Sequence, residues 1–207
     1  MNDREGTTAG SPGIDAFRGA SREVLSPHDG AVVGSAEHVD AAGMGMALDL
    51  VVARTRRSER PKPWERAAIL RRTAERLRSD RDAFALRIAR EGGKPLVDAR
   101  VEVDRAAGGL DELAQLATSL AGDEIPMRAG PAADGRLAFT TLEPIGVSAS
   151  ISAFNHPLNL AVHQIGPAVA AGCTFLHKPA VETPLSAMAL VAAGSSLTAA
   201  SVALTSS

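Results

Sequence analysis

Residues 146–180 read GVSASISAFNHPLNLAVHQIGPAVAAGCTFLHKPA, and this stretch carries the clearest indication of a fold class in the sequence. Residues 146–151 predict a buried strand, residues 158–171 predict a helix, and residues 173–177 predict a second strand. A further helix is predicted over residues 184–193. Two strands joined through a helix pair in parallel, because the crossover returns the chain to the same end of the sheet. The stretch therefore predicts an α/β fold with a parallel sheet.

The first half of the chain is predicted to be mainly helical. A turn sequence at 26–30 followed by apolar residues at 31–34 predicts an early β-hairpin. Apolar residues then recur at helical spacing as far as residue 123. The predicted helices run from the capping residue Asp40 to about Arg57, from Pro63 through Leu77, from about Arg81 to Arg90, and from about Val97 to Leu120. Their apolar positions include Trp64, Ala67, Ala68, Leu70, Ala74 and Leu77 in the second helix, and Val101, Leu110, Leu113, Leu116 and Leu120 in the fourth.

Composition and charge exclude several classes of function. The chain has 207 residues, 45% hydrophobic and 22% charged, and can bury a core without a disulfide or a metal. A formal net charge of −2 excludes a general nucleic-acid-binding protein, and the arginines between residues 54 and 90 are interleaved with acids, as on a solvated helix face. No membrane span and no signal peptide are predicted. A single cysteine, Cys173, fits a reducing, cytoplasmic compartment.

Polar residues follow both predicted strands, at the edge where an open α/β sheet binds ligands. Asn155 lies in the loop after the first strand, where its amide can donate a hydrogen bond to a developing oxyanion. The alternative is that Asn155 closes the turn before Pro157 and caps the next helix. Lys178 ends the second strand, where an ammonium group suits ribose hydroxyls or a phosphate, or is simply solvated. His156 has no acid near it in the sequence, which favours a surface histidine.

Several motifs of the chain resemble the aldehyde dehydrogenase superfamily. The similarity is nearly continuous over residues 142–187 and weaker but collinear upstream, so that it covers about residues 24–190. The stretches that carry it are SPHDG at 26–30, WERAAIL at 64–70, EGGKP at 91–95, LEPIGV at 142–147, FNHPLNL at 154–160, IGPA at 165–168, AGCT at 171–174, KPA at 178–180 and TPLSA at 183–187. The resemblance implies a helical N-terminal part followed by the start of a Rossmann-like parallel sheet.

The resemblance also implies roles for individual residues. Asn155 matches the asparagine whose amide stabilises the oxyanion formed when a cysteine thiolate attacks an aldehyde. Lys178 matches the lysine that binds the adenosine ribose of the cofactor, NAD or NADP. Val181 stands where many members carry an acid that binds the ribose hydroxyls, which leaves the choice between the two cofactors open. The loop that lines the cofactor crevice corresponds to Ile151, Ser152, Ala153 and Phe154.

The chain departs from the family pattern in what it lacks. The family's nucleophilic cysteine, general-base glutamate and glycine-rich turn match nothing in the 207 residues. The chain is therefore expected to be truncated before the catalytic domain, by a frameshift, as a gene fragment or as a natural short form, and to be inactive by itself. Cys173 stands where the family has a buried small residue, and it is not the nucleophile. A non-catalytic remnant or an interaction module that retains part of the cofactor site is the alternative.

The chain is expected to consist of five segments. Residues 1–13 are a polar lead that is expected to be disordered, and residues 14–122 form the helical part of the cofactor-binding domain. Residues 123–143 correspond, through the resemblance, to an oligomerisation hairpin. Residues 144–193 form the first βαβα unit of the dinucleotide-binding domain, and residues 194–207 are a low-complexity tail that leaves the family pattern. The family is homo-oligomeric and acts on small-molecule aldehydes, and an incomplete sheet is expected to make this chain prone to aggregation.

Overall fold

The computed structural model describes residues 20–57, 60–194 and 201–203. The predicted disordered lead at 1–13 lies outside these residues. The helices are α1 (Ala41–Arg57), α2 (Pro63–Ser79), α3 (Arg81–Gly92), α4 (Leu96–Ser119), α5 (Pro157–Ala171) and α6 (Pro184–Ala193). The strands are β1 (Ser21–Leu25), β2 (Val32–Glu37), β3 (Glu124–Ile125), β4 (Ala138–Phe139), β5 (Val147–Ile151), β6 (Thr174–Lys178) and β7 (Ser201–Ala203).

The parallel sheet has the strand order β5-β6-β7. β5 and β6 pair in parallel, with Val147 opposite Thr174 and Ile151 opposite Lys178, and α5 forms the crossover between them. This arrangement confirms the α/β fold that was predicted from residues 146–180. Strand β7 also pairs in parallel with β6, although the sequence predicts no regular element in the tail at 194–207. Small residues give a weak periodic signal, and β7 forms through its pairing with β6 rather than through local propensity.

The prediction that the first parallel strand is buried is only partly correct. Ser150 in β5 is buried, whereas Ile151 at the end of the strand is 66% exposed. β5 is an outer strand of the described sheet, so it pairs with a neighbour on one side only. Strands of a parallel sheet are usually covered on both faces, and here the cover is incomplete.

The predicted N-terminal hairpin is confirmed. β1 and β2 pair antiparallel, with Ser21 opposite Glu37. In the turn between them, Asp29 Oδ1 accepts a hydrogen bond from the Ala31 amide at 3.2 Å, and Gly30 adopts a φ of 72°. Glycine tolerates this left-handed conformation without the steric cost of a Cβ atom.

The predicted ends of the helices agree with the structure. Asp40 Oδ1 accepts a hydrogen bond from the Gly43 amide at 2.7 Å, which confirms Asp40 as the cap of α1. α2 begins at Pro63, and α3 is followed by Gly93 with a left-handed φ of 66°. In α2 one predicted core position is wrong, because Trp64 is 63% exposed. Trp64 lies in the first turn of α2, and the first residue that this helix buries is Ala67.

Helix α4 packs through small residues rather than through most of its leucines. Leu110 is buried as predicted, but Val101, Leu116 and Leu120 are exposed. The buried stripe consists of Ala99, Glu102, Val103, Ala106, Ala107, Leu110, Ala114 and Ala117. Small side chains allow close approach of neighbouring helices, and a Cβ atom added to Gly166 of α5 would lie 2.4 Å from Leu113 Cδ1.

The turn-rich segment at 123–143 contains a short hairpin. β3 and β4 pair antiparallel, with Glu124 opposite Phe139. The sequence predicts a strand over 136–141, of which only Ala138 and Phe139 are paired. Gly122 is required at the base of this hairpin, because a Cβ atom there would lie 1.7 Å from the carbonyl oxygen of Thr140. Leu137 and Phe139 are 77% and 66% exposed, so the hairpin presents apolar side chains on its surface.

Candidate functional site

The tips of β5 and β6 lie side by side at one edge of the sheet. Ile151 is the last residue of β5 and is opposite Lys178, the last residue of β6. One residue further on, the Ser152 amide donates a hydrogen bond to the Lys178 carbonyl oxygen at 3.1 Å. Because the strands are parallel, the loops that follow them leave from the same edge. This is the edge at which open α/β sheets bind their ligands.

The predicted crevice residues differ in their burial. Ser152 is buried, whereas Ile151, Ala153, Phe154 and Asn155 are exposed. Phe154 is 62% exposed, and its backbone carbonyl accepts a hydrogen bond from Thr183 Oγ1 at 3.1 Å. This contact ties the loop after β5 to the start of α6.

Lys178 is half-buried at the sheet edge. Within the described ranges it forms no ion pair, so its ammonium group is not neutralised by a carboxylate of this part of the chain. A lysine in this position can attract an anionic or polyhydroxylated ligand.

The alternative interpretation of Asn155, as the cap of the following helix, is wrong. Helix α5 begins at Pro157, its capping position is His156, and no side chain at that position accepts the capping hydrogen bond. Glu102 of α4 fulfils this role from a distance. Its Oε1 atom accepts hydrogen bonds from the amides of Leu158 at 3.0 Å and Asn159 at 3.1 Å. A carboxylate at a helix N-terminus satisfies free amides and interacts favourably with the helix dipole.

Glu102 also takes part in a buried charged cluster next to Asn155. Its side chain is 1% exposed and forms an ion pair with Lys94 through Oε2. Lys94 Nζ lies 2.9 Å from His156 Nδ1, and the same Nδ1 lies 3.3 Å from Glu102 Oε2. The expected surface position of His156 agrees with a side chain that is 45% exposed, but the ring also contacts the Glu102 carboxylate of α4, which the sequence did not indicate.

Sequence reasoning missed the capping role of Glu102 because the amides that it accepts from lie more than 50 positions away. One signal could have identified it. Glu102 stands at helical spacing from Ala99 and Ala106, so it places a carboxylate on the apolar face of α4. A charge on a face that is otherwise apolar indicates a partner from another element.

A cavity of about 510 Å³ lies beside this cluster. Glu102 and Arg105 of α4, with Lys94 from the loop before it, line one part of the cavity. The residues Phe154, Asn155 and His156 of the loop after β5 line another part. The predicted oxyanion residue, Asn155, thus opens into a space with charged walls. Lys178 does not line this cavity, so the two predicted site residues share the sheet edge but not the same cavity.

Helix α6 is capped in the same way as α5. Glu91 of α3 is buried, and its two carboxylate oxygens accept hydrogen bonds from the amides of Leu185 at 2.7 Å and Ser186 at 2.9 Å. Burial raises the pKa of Glu91, and these hydrogen bonds oppose the rise because they stabilise the charged form. Each helix that follows a parallel strand therefore has its N-terminus bound to an internal carboxylate.

His177 precedes Lys178 in β6 and is fully buried. Loss of hydration lowers the pKa of His177 from 6.5 to about 4, so the ring is neutral at physiological pH. Cys173 is half-buried just before β6, and it lines a different cavity of about 420 Å³ together with Pro144, Gln164 and Pro167. Cys173 and Asn155 therefore open into separate spaces. The described residues contain no cluster of histidine, cysteine or carboxylate side chains suited to a metal ion.

A model of the aldehyde dehydrogenase family matches residues 16–198. The chain belongs to the aldehyde dehydrogenase family. A putative aldehyde-dehydrogenase-like protein of Sinorhizobium fredii is 39% identical over 174 residues, which are 82% of this chain and 33% of that protein. The chain thus spans about a third of the length of this relative. The resemblance inferred from the motifs at 142–187 is confirmed at the level of the family.

Solved structures of the aldehyde dehydrogenase family have the same fold. Glyceraldehyde-3-phosphate dehydrogenase of Methanocaldococcus jannaschii, complexed with NADP, is 27% identical and superimposes with a TM-score of 0.83 over 89% of this chain and 41% of that chain. PnpE of Pseudomonas sp. WBC-3, in complex with nicotinamide adenine dinucleotide, is 27% identical with a TM-score of 0.82 over 91% of this chain and 38% of that chain. No helix in the described part of this family member is long and apolar enough to cross a membrane.

Proposed function

We propose that this chain forms part of an NAD(P)-dependent aldehyde oxidation site, in which Asn155 supplies the oxyanion amide. The supporting observation is the exposed position of Asn155 on the charged cavity, after a parallel strand and free of the capping role. In the reaction, a cysteine thiolate attacks the aldehyde carbonyl, and the oxygen gains negative charge as the new bond forms. An amide N–H that is aimed at this oxygen stabilises the charge without exchanging a proton.

The cofactor residues of this proposal are Lys178 at the tip of β6 and the loop of Ile151, Ser152, Ala153 and Phe154. The ammonium group of Lys178, which pairs with no carboxylate of the described residues, suits a ribose hydroxyl or a phosphate oxygen. The exposed residues of the loop leave room for a ligand beside the strand tips. Val181 is apolar and Glu182 is exposed, so neither supplies a buried acid that would select against a 2′-phosphate. NAD or NADP supplies the hydride acceptor when bound.

By itself the chain is proposed not to oxidise aldehydes. Cys173 is the only cysteine in the sequence, and it lines the cavity that Asn155 does not. An oxyanion amide without a nucleophile has no intermediate to stabilise. The test is to incubate the purified chain with NAD or NADP and a panel of aldehydes, and to follow the absorbance of the reduced nicotinamide. Reduction above that of a protein-free control would contradict the proposal.

Cofactor binding provides a separate test of the site. We expect weak binding of NAD and NADP in calorimetric or NMR titrations of the whole chain, and further weakening in Lys178→Gln. Lys62→Gln is the matched control, because Lys62 is an exposed lysine at the start of α2 and lies outside the sheet edge. Equal cofactor affinity in the two variants would show that Lys178 is not part of the cofactor site.

A second candidate function is association without catalysis. The hairpin of β3 and β4 and the residue Ile145 present apolar side chains, with Phe139 66% and Ile145 85% exposed. We propose that the segment 123–143 mediates oligomerisation, as a surface of this kind favours contact with another chain. Sedimentation of Phe139→Ser against the wild type would test this, with an unchanged mass distribution as the contrary result. The single cysteine supports a reducing compartment, and cytoplasmic localisation is proposed on that basis.

A further inference from the structure

A chain of buried hydrogen bonds begins at His177 in the middle of the sheet. Ser150 in β5 and His177 in β6 are opposite each other in the parallel register, and both are buried. Ser150 Oγ lies 2.6 Å from His177 Nδ1. Ser150 Oγ also lies 2.8 Å from Oε1 of Gln164 in α5. A serine hydroxyl has one proton, so it can donate to only one of these two atoms.

The Nε2 atom of the Gln164 amide determines the donor and the acceptor in each hydrogen bond of this series. Gln164 Nε2 donates to the carbonyl oxygen of Ile151 at 2.8 Å, and this fixes the orientation of the amide. Its oxygen therefore faces Ser150 and accepts the hydroxyl proton. Since the Ser150 proton is used in this way, His177 must donate to Ser150 through a protonated Nδ1. The other ring nitrogen, Nε2, is then an acceptor and lies 3.5 Å from Ser152 Oγ.

These bonds hold one peptide unit at both of its polar ends. The carbonyl of Ile151 and the amide of Ser152 belong to the same peptide group. Gln164 binds the carbonyl, and the Lys178 carbonyl accepts the hydrogen bond from the amide at 3.1 Å. A planar peptide group that is bound at both ends has its orientation fixed. This peptide group is also where β5 ends and the loop at 152–156 begins.

We propose that Gln164 is a positioning residue for the cofactor loop, and that the pair of His177 and Ser150 orients its amide. This inference rests on the proposed function, because the loop at 151–154 is assigned to the cofactor there. Gln164 touches no ligand atom in this scheme and acts by fixing the direction in which the loop leaves the sheet. The Nδ1–H form of His177 is the chemical signature of the arrangement, since it follows from the direction of the bonds and not from packing alone.

The first measurement needs no variant and no cofactor. Nitrogen and carbon NMR shifts of the imidazole ring report which nitrogen carries the proton, and we expect Nδ1 to be protonated in His177 of the wild-type chain. A proton on Nε2 would overturn the proposal, because the direction of the whole chain of bonds would then be reversed.

The second measurement uses Gln164→Met, which has a side chain of similar length without the amide. Ser150 then loses its acceptor and donates to His177, so we expect the ring proton to move to Nε2. We also expect hydrogen exchange of the Ser152 amide to be faster by roughly threefold to tenfold, because one of the two contacts on its peptide group is lost. Unchanged exchange and an unchanged tautomer would overturn the positioning role.

Variants of His177 test whether this residue orients the Gln164 amide through a hydrogen bond or only fills space in the core. His177→Asn can donate from an amide nitrogen near the position of Nδ1, and it is expected to keep wild-type exchange at Ser152. His177→Leu fills the space without a donor, and it is expected to increase the exchange rate in the same direction as Gln164→Met. His28→Leu is the control, because His28 is exposed in the turn between β1 and β2. Equal exchange in His177→Asn and His177→Leu would contradict the orienting role of His177.

Titration with NAD and NADP then connects the network to the cofactor. If the wild type binds either cofactor, Gln164→Met is expected to raise the dissociation constant by roughly threefold to tenfold. An unchanged constant would refute the role in cofactor binding. If the wild type binds neither, the proposed function fails, whereas the ring tautomer and the Ser152 exchange rate still decide whether Gln164 positions the loop.

Discussion

Glu102 accepts a hydrogen bond from the backbone amide of Leu158 at 3.0 Å, although 56 positions separate the two residues along the chain. The contact joins the layer of helices to the first turn of α5, immediately after the loop that carries Asn155. Lys94 neutralises the same carboxylate and also contacts His156. The position of the candidate oxyanion residue therefore depends on a helix that contributes no atom to the sheet.

Removal of Glu102 is expected to be costly. In Glu102→Ala the N-terminus of α5 loses its acceptor and Lys94 loses its partner, so the free energy of unfolding should fall by about 3 kcal/mol or more. Glu102→Gln keeps an acceptor for the amides but loses the charge, and it should cost less. Urea unfolding of each variant measures its free energy of unfolding. Glu112→Ala is the control, because Glu112 lies on the same helix and is exposed. If this control also changed the free energy of unfolding by more than about 0.5 kcal/mol, the loss of a negative charge on α4, and not the buried contacts of Glu102, would explain the effect.

The contribution of Glu91 to stability should change with pH in the direction opposite to that of most carboxylates. Its pKa is raised by burial, so the folded chain holds this proton more tightly than the unfolded chain. The contribution of Glu91 to stability is therefore full at low pH and is lost as the pH rises through the folded-state pKa. Accordingly, Glu91→Gln should cost less stability at pH 7 than at low pH.

Denaturant unfolding at several pH values checks this prediction for Glu91. Glu75→Gln is the matched control, because Glu75 is exposed on α2 and should show no trend of this kind. A cost of Glu91→Gln that grows with pH would show that hydrogen bonding to the Leu185 and Ser186 amides outweighs burial.

His177 should make the protein less stable in mild acid. Its pKa is about 4 in the folded chain and about 6.5 in the unfolded chain, so the unfolded state takes up the proton first. The free energy of unfolding should consequently fall by about 3 kcal/mol from this group alone as the pH decreases from 6.5 to 4. In His177→Asn this part of the pH dependence should disappear, whereas His28→Asn should retain it. Parallel pH profiles for the wild type and His177→Asn would contradict the prediction.

Two glycines in packed helices should respond in opposite directions to alanine. A Cβ atom at Gly166 would lie 2.4 Å from Leu113 Cδ1, so Gly166→Ala should destabilise the protein by about 1–3 kcal/mol through overpacking. A Cβ atom at Gly108 of α4 meets nothing within 4 Å, and Gly108→Ala should stabilise by up to about 1 kcal/mol through helix propensity. Thermal or urea unfolding of both variants measures the difference. A loss of stability in Gly108→Ala would mean that α4 packs more tightly there than the structure shows.

Local patterns predicted the elements that depend on neighbouring residues. The Asp40 cap, the Pro63 start, the stop at Gly93 and the strand–helix–strand order at 146–180 all follow from contacts within a few positions. The same reasoning failed at Trp64 and Ile151, since their exposure depends on how far the neighbouring elements extend. It also missed β7, which has little propensity of its own and forms against β6.

Periodicity, turn chemistry and motif spacing are local properties, so the amino-acid sequence alone was enough to predict the family, the α/β class and the position of Asn155 and Lys178 after consecutive parallel strands. The residues that support Asn155 and Lys178 became visible only in the folded chain. Glu102 and Glu91 reach helices that begin far along the chain, and the bonds from His177 to Gln164 connect two strands and a helix. Such contacts arise when a buried polar group finds its partner across the core, and no spacing in the sequence records which partner that is.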